Sequence, residues 1–352
     1  MTKVHHLIVL DASGSMSCIT RQTIDGCNET IQTIRTMQKD NADTQEHYVS
    51  INLFEGRQNH YMIEDKPIAE VKEITGEDYQ TGGSTPLYDA MGDTLTALRE
   101  KLVDGETMAY VTIITDGEEN SSTRYDLQKV VALIDELKKR DVIFTFIGAN
   151  IDAGSYARAL HISNALQFEQ TDEGTRRMWE RERRSKRRSS LRQGMFAKIY
   201  GCADATRMVS EEDNQGDYYF DSSAAANGRV TPRHISKLKR GEIFVFGSNT
   251  QGAHAGGAAR AAVDHFGAIW GQAEGLQGQT YAIPTVGLDL RGIYEAVERF
   301  INYAKDHPEL TFLVTPIGCG IAGFRAEEIA PMFRYALNVP NIHLPEMFWK
   351  YL

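Results

Sequence analysis

The sequence predicts an α/β protein of two domains, and three observations lead to this prediction. The chain has 352 residues, whereas one domain takes about 150 on average. Up to about residue 166, near-continuous apolar strands alternate with amphipathic helices, a pattern typical of a doubly wound, largely parallel sheet. After an aperiodic stretch rich in small and polar residues, a second series of strands and helices begins. The predicted division is a first domain over 1–200, a linker over 201–234 and a second domain over 235–352.

The elements of the first domain follow from hydrophobic periodicity. Apolar runs predict strands at 7–10, 48–54, 111–115 and 142–147. Apolar residues at helical spacing predict helices at 87–102 and 127–137. Pro86 suits the first turn of the earlier helix, and either Ser84 or Thr85 is expected to cap it.

Oxygen-bearing side chains occur at three points of this pattern. The stretch D-A-S-G-S begins at Asp11 directly after the first strand, Thr85 opens a helix, and Asp116 follows the run 111–115. Ligands of open α/β sheets bind outside the carboxyl ends of the strands, and Mg2+ takes a few oxygen ligands plus water. The sequence therefore predicts a site for Mg2+ or Mn2+. Its five expected ligands are Asp11, Ser13, Ser15, Thr85 and Asp116. The alternative for D-A-S-G-S alone is a strand-to-helix turn with a hydroxyl cap.

This set resembles the metal-ion-dependent adhesion site of the von Willebrand factor A domain, which reads D-x-S-x-S, then T, then D. The resemblance implies a doubly wound parallel sheet over the first domain. It also implies that the metal keeps one coordination position open, which an acidic residue of a protein partner fills.

Composition and charge restrict the function classes. The formal net charge is -10, and only residues 171–234 are basic, with 13 Lys and Arg against 10 Asp and Glu. Binding of nucleic acid by the whole protein is therefore not favoured. The four cysteines show no C-x-x-C spacing, which argues against a zinc site and a disulfide framework. Because no secretory signal and no membrane span are found, we expect a soluble, cytoplasmic protein with no membrane partner.

A strongly basic run occupies residues 176–192, with nine Lys and Arg against two Glu. Such a run can bind phosphates by releasing counterions, so nucleic acid is one alternative partner. Trp179 is the only aromatic residue available there for base stacking. We therefore favour a solvated helix attached to the acidic first domain.

Two glycine-rich loops mark the second domain. The strand 242–246 leads into the loop 247–257 and then a helix at 258–266, and the strand 311–315 leads into the loop 316–324 and a helix at 327–337. Glycines allow the backbone to approach a phosphate closely, and a helix N-terminus offers free N–H groups. Two such loops in one small domain can hold two linked phosphates.

These segments, with the strand 281–285 between them, resemble a macrodomain, the ADP-ribose-binding family. The resemblance implies a compact three-layer α/β domain that binds ADP-ribose or another NAD-derived nucleotide, free or attached to a macromolecule. It places Asn249 and the first loop near the distal ribose and the second loop around the diphosphate. The contacts expected are Gly247, Ser248, Asn249, Gly252, Gly256, Gly257, Ala258, Gln277, Gln279, Gly318, Cys319, Gly320, Ile321, Ala322, Gly323 and Phe324.

Two departures from the family bear on activity. His234 stands where the family commonly has an Asp that binds adenine, and the first loop lacks the glutamate pair of the hydrolase branch. Three residues are candidates for catalysis: His254 as a base, with Asn249 and Asp289. For His254 the alternative is a surface histidine, and for Asp289 loop solvation. Gln277 and Gln279 either bind ribose hydroxyls or cap a turn, and Cys319 either acts as a nucleophile or packs beneath its loop.

The function expected from the sequence joins these two sites. The second domain binds ADP-ribose, with hydrolysis as an open question, and the first recruits an acidic partner through its metal. The alternative is a scaffold protein that reads a nucleotide or an ADP-ribosylated partner without chemistry.

Overall fold

The fold is described from a computed structural model, which describes residues 1–56, 58–219 and 225–352. The chain divides into two compact units, Met1–Phe220 and Asp221–Leu352, called unit 1 and unit 2 below. Each is an α/β unit with one six-stranded sheet in which parallel pairs predominate. No helix within the described ranges is both long and apolar enough to cross a membrane.

The sheet of unit 1 has the strand order β3-β2-β1-β4-β5-β6. All neighbouring pairs are parallel except β2 and β3. Side chains of the central strands are buried on both faces, which explains their near-continuous apolar sequence. The strands are β1 (Thr2–Asp11), β2 (Gln45–Glu55), β3 (Gln58–Pro67), β4 (Thr107–Thr115), β5 (Val142–Ala149) and β6 (Asn164–Phe168).

Six α-helices lie within the described residues of unit 1. One face of the sheet packs in an apolar core with α2, α3 and α4, and α5 packs against both α1 and α6. The helices are α1 (Thr20–Asp40), α2 (Leu87–Lys101), α3 (Leu127–Lys138), α4 (Ala153–Ala159), α5 (Asp172–Tyr200) and α6 (Cys202–Glu212). Short 3-10 segments at Gly14–Ile19 and Ile68–Glu70 and a π-helical turn at Asp213–Asp217 complete the unit.

The basic run forms the middle of α5, and only part of it is the solvated face expected: Arg176, Arg177, Arg181 and Arg184 are exposed, whereas other cations of the run are buried. Lys186 is fully buried, and its Nζ lies 3.4 Å from Glu182 Oε1 and 3.3 Å from Thr112 Oγ1 on β4. Arg192 is also buried and pairs with Glu212 at 2.8 Å and with Asp213. The buried charges of α5 are therefore compensated by carboxylates of α5, α6 and the π-helical turn. The periodicity of apolar residues alone does not reveal such a buried charged face.

The sheet of unit 2 has the strand order β7-β12-β11-β8-β10-β9, with β9 the only antiparallel partner among the described strands. One face carries Phe244, Phe246 and Ala282 against α7. The other carries Tyr281, whose ring contacts Phe300 of α8 at 5.1 Å between centroids. Helices thus cover both faces, giving three layers. The strands are β7 (Val230–Thr231), β8 (Glu242–Asn249), β9 (Gly275–Gln277), β10 (Thr280–Val286), β11 (Thr311–Val314) and β12 (Ile342–Pro345).

The α-helices of unit 2 whose bounds the structure describes are α7 (Gly257–Phe266), α8 (Leu290–Asp306), α9 (Ala326–Ile329) and α10 (Glu346–Trp349). The helix expected at 327–337 is α only as far as Ile329 and continues as 3-10 helix over Ala330–Asn338. Pro331 lies at the junction and has no N–H to donate, which accounts for the change.

The stretch 201–234 differs from the linker expected. Its first part is α6 and the π-helical turn of unit 1, and its last part contains β7, which pairs with β12 in unit 2. The buried face of α6 consists of small residues, namely Ala205, Thr206, Val209 and Ser210. Because this composition is also typical of loops, the sequence did not indicate a helix here. Residues 220–224 of the expected linker lie outside the described residues.

Candidate metal site and nucleotide cleft

The turn after β1 brings the Asp11 carboxylate to the end of β4. Asp11 Oδ1 accepts a hydrogen bond from the backbone N–H of Ser13 at 2.7 Å. Its Oδ2 accepts one from Thr115 Oγ1 at 2.6 Å. The hydroxyl of the buried Tyr79 donates to the Asp11 carbonyl at 2.8 Å. This carboxylate is therefore fixed on both sides by neighbouring strand ends.

The two serines connect Asp11 to the second carboxylate. Ser13 Oγ lies 3.1 Å from Ser15 Oγ, and Ser15 Oγ donates to Asp116 Oδ1 at 2.7 Å. Four of the five ligands predicted from the sequence thus form one hydrogen-bonded set at the carboxyl ends of β1 and β4.

The loop that carries Thr85 lies against the same turn. Gly82 N–H donates to the Ala12 carbonyl at 2.8 Å, and Gly14 N–H to the Gly83 carbonyl at 3.4 Å. A Cβ built on Gly117, next to Asp116, would lie 3.3 Å from Thr85 Oγ1. The fifth predicted ligand therefore lies beside the end of β4.

Neither Ser84 nor Thr85 caps α2 as expected, because Pro86 holds the N-cap position. The amides of the first turn are instead satisfied by the loop after β4. Tyr88 N–H donates to Glu119 Oε2 at 2.8 Å, and Asp89 N–H donates to Ser122 Oγ at 2.9 Å. The Thr85 hydroxyl is thus not used as a cap.

The donor set fits a hard divalent cation. Two carboxylates and three hydroxyls supply oxygen alone, and Mg2+ is commonly held by one or two carboxylates together with retained water. Among the described residues, no cluster of three or more His, Cys, Asp or Glu side chains has the geometry to hold a metal. The structure therefore describes no metal site with more of these ligands than the two carboxylates of this one. Burial, followed by the neighbouring Asp116, raises the pKa of Asp11 to about 6 against the lowering effect of its hydrogen bonds. A cation would favour the ionised form that coordination requires.

Besides Thr115 and Tyr79, Gln170 is a polar residue of this site that was not predicted from the sequence. Gln170 follows β6, and its Nε2 lies 2.6 Å from Asp116 Oδ2 and 3.0 Å from the Ser15 carbonyl. Its Oε1 accepts a hydrogen bond from Asn150, which follows β5. The available signal was its position at a strand end on the same edge of the sheet.

In unit 2, a cleft of about 320 Å3 lies at the carboxyl ends of β8, β10 and β11. Residues of both glycine loops line it, together with the first turn of α7. Its polar side chains are Ser248, Asn249, Thr285 and Thr315. The remaining lining residues are Gly247, Ala253, Ala255, Gly256, Gly257, Ala258, Ala259, Val286, Pro316, Ile317, Gly318, Gly320, Ile321 and Ala322.

The glycines of the two loops have distinct roles. Gly252 has φ +65°, and a Cβ there would lie 2.5 Å from the Gly271 backbone, so this glycine allows two loops to approach. In contrast, a Cβ at Gly256, Gly257 or Gly320 would meet no atom within 4 Å. These three glycines keep open space in the cleft beside the free N–H groups of the α7 N-terminus.

His254 is placed differently from either expectation. It is fully buried, so it is not a surface histidine, and it does not line the cleft, although Ala253 and Ala255 do. Its Nε2 lies 3.2 Å from the Gln272 carbonyl, and its ring contacts Phe246 and Trp270. His254 therefore packs behind the loop and does not reach the cleft.

The Asn249 side chain also braces the first loop. Its Oδ1 accepts from the N–H groups of Gln251 at 3.1 Å and Ala253 at 2.9 Å, and its Nδ2 donates to the Ala253 carbonyl at 2.7 Å. Asn249 does line the cleft, but most of its hydrogen-bonding capacity is used within the loop.

Several other candidates lie away from the cleft lining. Asp289 caps α8 through Gly292 N–H at 2.9 Å. Gln277 accepts from Ile269 N–H, and Gln279 donates to the Lys239 carbonyl at 3.2 Å, both near the start of β10 and not at its carboxyl end. Burial raises the pKa of the Cys319 thiol to about 11, which disfavours the thiolate of a nucleophile. Gly252, Cys319, Gly323 and Phe324 belong to the loops without lining the cleft.

A second and larger cavity of about 880 Å3 adjoins this cleft. Gly257, Ala258, Thr315 and Pro316 line both. Its other walls come from residues 231–236, from α7 and from the segment around α10, with Phe244 among the lining residues. His234, the residue expected near the base, lines this cavity.

The chain matches no known family profile and no curated protein in sequence. Similar solved structures include the VWA domain of SpRpn10, with 12% identity over 52% of this chain and 95% of that chain at a TM-score of 0.36. Manganese-loaded TRAP protein of Plasmodium vivax has 16% identity over 48% of this chain and 69% of that chain, with a TM-score of 0.34.

Proximal thread matrix protein 1 from the mussel byssus, with a zinc-occupied MIDAS motif, has 17% identity over 51% of this chain at a TM-score of 0.32. The match covers 44% of the mussel protein, less than half of its length. These TM-scores lie below 0.5, so the likenesses assign neither a family nor a function to the chain.

Proposed function

We propose that unit 1 binds Mg2+ or Mn2+ and uses the ion to recruit an acidic group of a protein partner. The observation that supports this is the continuous hydrogen-bonded set from Thr115 through Asp11, and from Ser15 to Asp116, at one edge of the sheet. Two carboxylates neutralise a divalent ion without filling its coordination sphere. The remaining positions are available to water and to a carboxylate supplied from outside.

We propose further that the cleft of unit 2 binds an ADP-ribose-type nucleotide. The observation that supports this proposal is that both glycine loops and the first turn of α7 line the same cleft, which has a volume of about 320 Å3. Backbone N–H groups at a helix N-terminus bind phosphate through both hydrogen bonds and the helix dipole. The open space at Gly256, Gly257 and Gly320 is where a diphosphate fits.

The cleft supports binding in preference to hydrolysis. Among the described residues that line it there is no Asp, Glu, His, Lys, Arg or Cys. General acid–base catalysis requires a titratable group within hydrogen-bond reach of the reacting atom, and His254 and Asp289 do not line the cleft. We therefore favour a reader of the nucleotide, free or attached to a macromolecule, over a hydrolase.

Nucleic-acid binding by the basic run stays the less favoured alternative. Lys186, Arg188 and Arg192 are buried in unit 1, so these charges of the run do not face solvent. Electrostatic binding to phosphates depends on accessible cations that release counterions.

The experiment that tests the nucleotide proposal is calorimetric titration of the full chain with ADP-ribose, with chromatography of the mixture afterwards. Saturable binding, with ADP-ribose recovered intact, supports a reader. A reader would also leave ADP-ribosylated protein intact in a release assay. Absence of binding at millimolar ADP-ribose contradicts the proposal. Release of ADP-ribose from modified protein would instead establish a hydrolase.

A further inference from the structure

The larger cavity of unit 2 has a charge distribution unlike that of the nucleotide cleft. Its charged lining side chains are Arg233, Lys350 and Glu346, and two imidazoles, His234 and His265, lie on its walls. The cleft itself has no charged side chain among its described lining residues. Any charge recognition along the combined groove therefore takes place in the larger cavity.

Glu346 is the one carboxylate among the described lining residues of this cavity, and it pairs with Arg233. Arg233 donates to Glu346 Oε2 at 2.8 Å. The Arg233 guanidinium, with a smaller contribution from the Lys350 ammonium, holds the pKa of Glu346 below its usual range. Two cations against one anion leave a net positive charge in a chain whose formal charge is -10. A positive region on an acidic protein favours an anionic ligand.

The hydrogen-bonding balance gives the same result. A lysine ammonium offers three donors, and arginine offers five, whereas neither accepts a hydrogen bond. Glu346 uses one oxygen for Arg233. Donors therefore exceed acceptors around this cavity, and a ligand group rich in acceptor oxygens fits it best. Phosphate is such a group, and lysine binds it as a point charge.

The larger cavity adjoins the cleft, so a phosphate bound in it could belong to the same nucleotide. The cavity meets the cleft at Gly257 and Ala258, the α7 turn where the diphosphate is proposed to bind, and again at Thr315 and Pro316. Because the two spaces are continuous at these residues, a nucleoside that extends from that diphosphate past Gly257 would enter the larger cavity. Its volume of about 880 Å3 is near the upper end of the range for small-molecule sites, which leaves room for a phosphate on the ribose.

We propose that the larger cavity of unit 2 binds a phosphomonoester on the adenosine ribose, so that the preferred ligand is a 2′-phosphorylated ADP-ribose-type nucleotide. This inference rests on the proposed nucleotide function. It adds a second anionic site, with Lys350 and Arg233 as its cations and the Glu346 carboxylate as the group that limits its strength.

The test is calorimetric titration of the full chain with two probes that differ by one phosphate, ADP-ribose and 2′-phospho-ADP-ribose. We expect the phosphorylated probe to bind about tenfold more tightly at low salt, because a charge-assisted hydrogen bond contributes that much. Its advantage should shrink as salt is raised, since the cations are exposed and screened.

Three variants locate the effect. Lys350→Gln should remove most of the tenfold preference, because it should weaken the binding of 2′-phospho-ADP-ribose more than the binding of ADP-ribose. Glu346→Gln should increase the preference, because it removes the only carboxylate of the described cavity lining. The matched control is Lys305→Gln, which changes an exposed lysine on α8 that does not line the cavity. All three positions are exposed, so folding should be little affected.

The outcomes separate this inference from the function on which it rests. If neither probe binds the wild-type chain at millimolar concentration, the nucleotide function fails and this inference fails with it. If ADP-ribose binds but 2′-phospho-ADP-ribose binds equally or more weakly, the nucleotide function stands and the phosphate site is wrong. A preference that persists unchanged in Lys350→Gln also contradicts the assignment to this cavity.

Discussion

Side chains supply the ligands of the candidate site in unit 1, whereas backbone groups and open space form the cleft in unit 2. Asp11 and Asp116 are held by hydrogen bonds of 2.6 to 2.7 Å before any ion is considered. In the cleft, Gly256 and Gly320 have no atom within 4 Å of a Cβ position. Removing a functional group should therefore disable the first site, and adding one should disable the second.

The largest effect is expected from Asp116→Ala. This change removes one of the two carboxylates of the candidate metal site and the acceptor of Ser15 and Gln170. We expect Mg2+ and Mn2+ affinity to fall by more than about 100-fold, since even groups outside the first coordination sphere contribute about 10- to 100-fold. Calorimetric titration with each metal measures the loss of metal affinity. The affinity for ADP-ribose should be unchanged.

The matched control for that variant is Asp126→Ala, which removes an exposed carboxylate that caps α3. Its metal affinity should equal that of the wild type. Full metal affinity in Asp116→Ala would contradict the metal assignment.

Buried histidines make the stability of unit 1 depend on pH. His47 Nδ1 lies 2.9 Å from His6 Nε2, and burial lowers the pKa of His47 to about 3. The unfolded state, with a pKa near 6.5, binds the proton more tightly, so stability is lost as pH falls below about 6.5. At pH 5 this loss amounts to about 2 kcal/mol for His47, an order-of-magnitude figure.

Hydrogen exchange at pH 7 and pH 5, followed separately for peptides of each unit, measures this loss. His47→Asn should flatten the pH dependence of unit 1, whereas His161→Asn, at an exposed histidine, should leave it unchanged. Equal slopes in wild type and His47→Asn would show that this histidine is not responsible.

Added bulk should close the cleft of unit 2. Gly320→Glu places a side chain and a negative charge in space that the structure leaves open beside the α7 N-terminus. We expect ADP-ribose affinity to fall by more than about tenfold, while metal binding is unaffected. Gly76→Glu is the matched control, because this glycine of unit 1 also has no atom within 4 Å of its Cβ position. Unchanged ADP-ribose affinity in Gly320→Glu would place the ligand elsewhere.

The geometry of the candidate metal site could be predicted from the sequence more completely than that of the cleft, for a physical reason. Asp11, Ser13, Ser15, Thr85 and Asp116 are recognisable by residue type, and strand ends bring them to one edge of the sheet. In the cleft the same glycine signal marks both Gly252, which allows two loops to approach, and Gly320, which keeps space open. Only the three-dimensional neighbours distinguish these roles.

The catalytic candidates and the α5 charges show a second limit. His254 was considered for its chemistry, but the direction of its side chain depends on how the loop folds, which residue type does not reveal. Lys186 belongs to a run that resembles a solvent-exposed face, yet its partner Glu182 lies one turn away and both are buried. Burial of a compensated pair depends on long-range packing against β4.

The smallest effect is expected from Gln170→Ala. This change removes a hydrogen bond that orients Asp116 Oδ2. An ordinary hydrogen bond contributes about 1 kcal/mol, so metal affinity should fall by about fivefold. Gln167→Ala, at an exposed residue on β6, is the control. If metal binding is unchanged or tighter in Gln170→Ala, Gln170 does not position Asp116.

The measurement that tests the central claim most directly is titration of the full chain with ADP-ribose in the presence of Mg2+ and again after removal of divalent ions by a chelator. Because the two sites consist of different groups in separate units, we predict that ADP-ribose binds saturably, with the same submillimolar affinity in both conditions. The nucleotide should be recovered intact. No binding in either condition, or binding that requires the metal, would contradict the account.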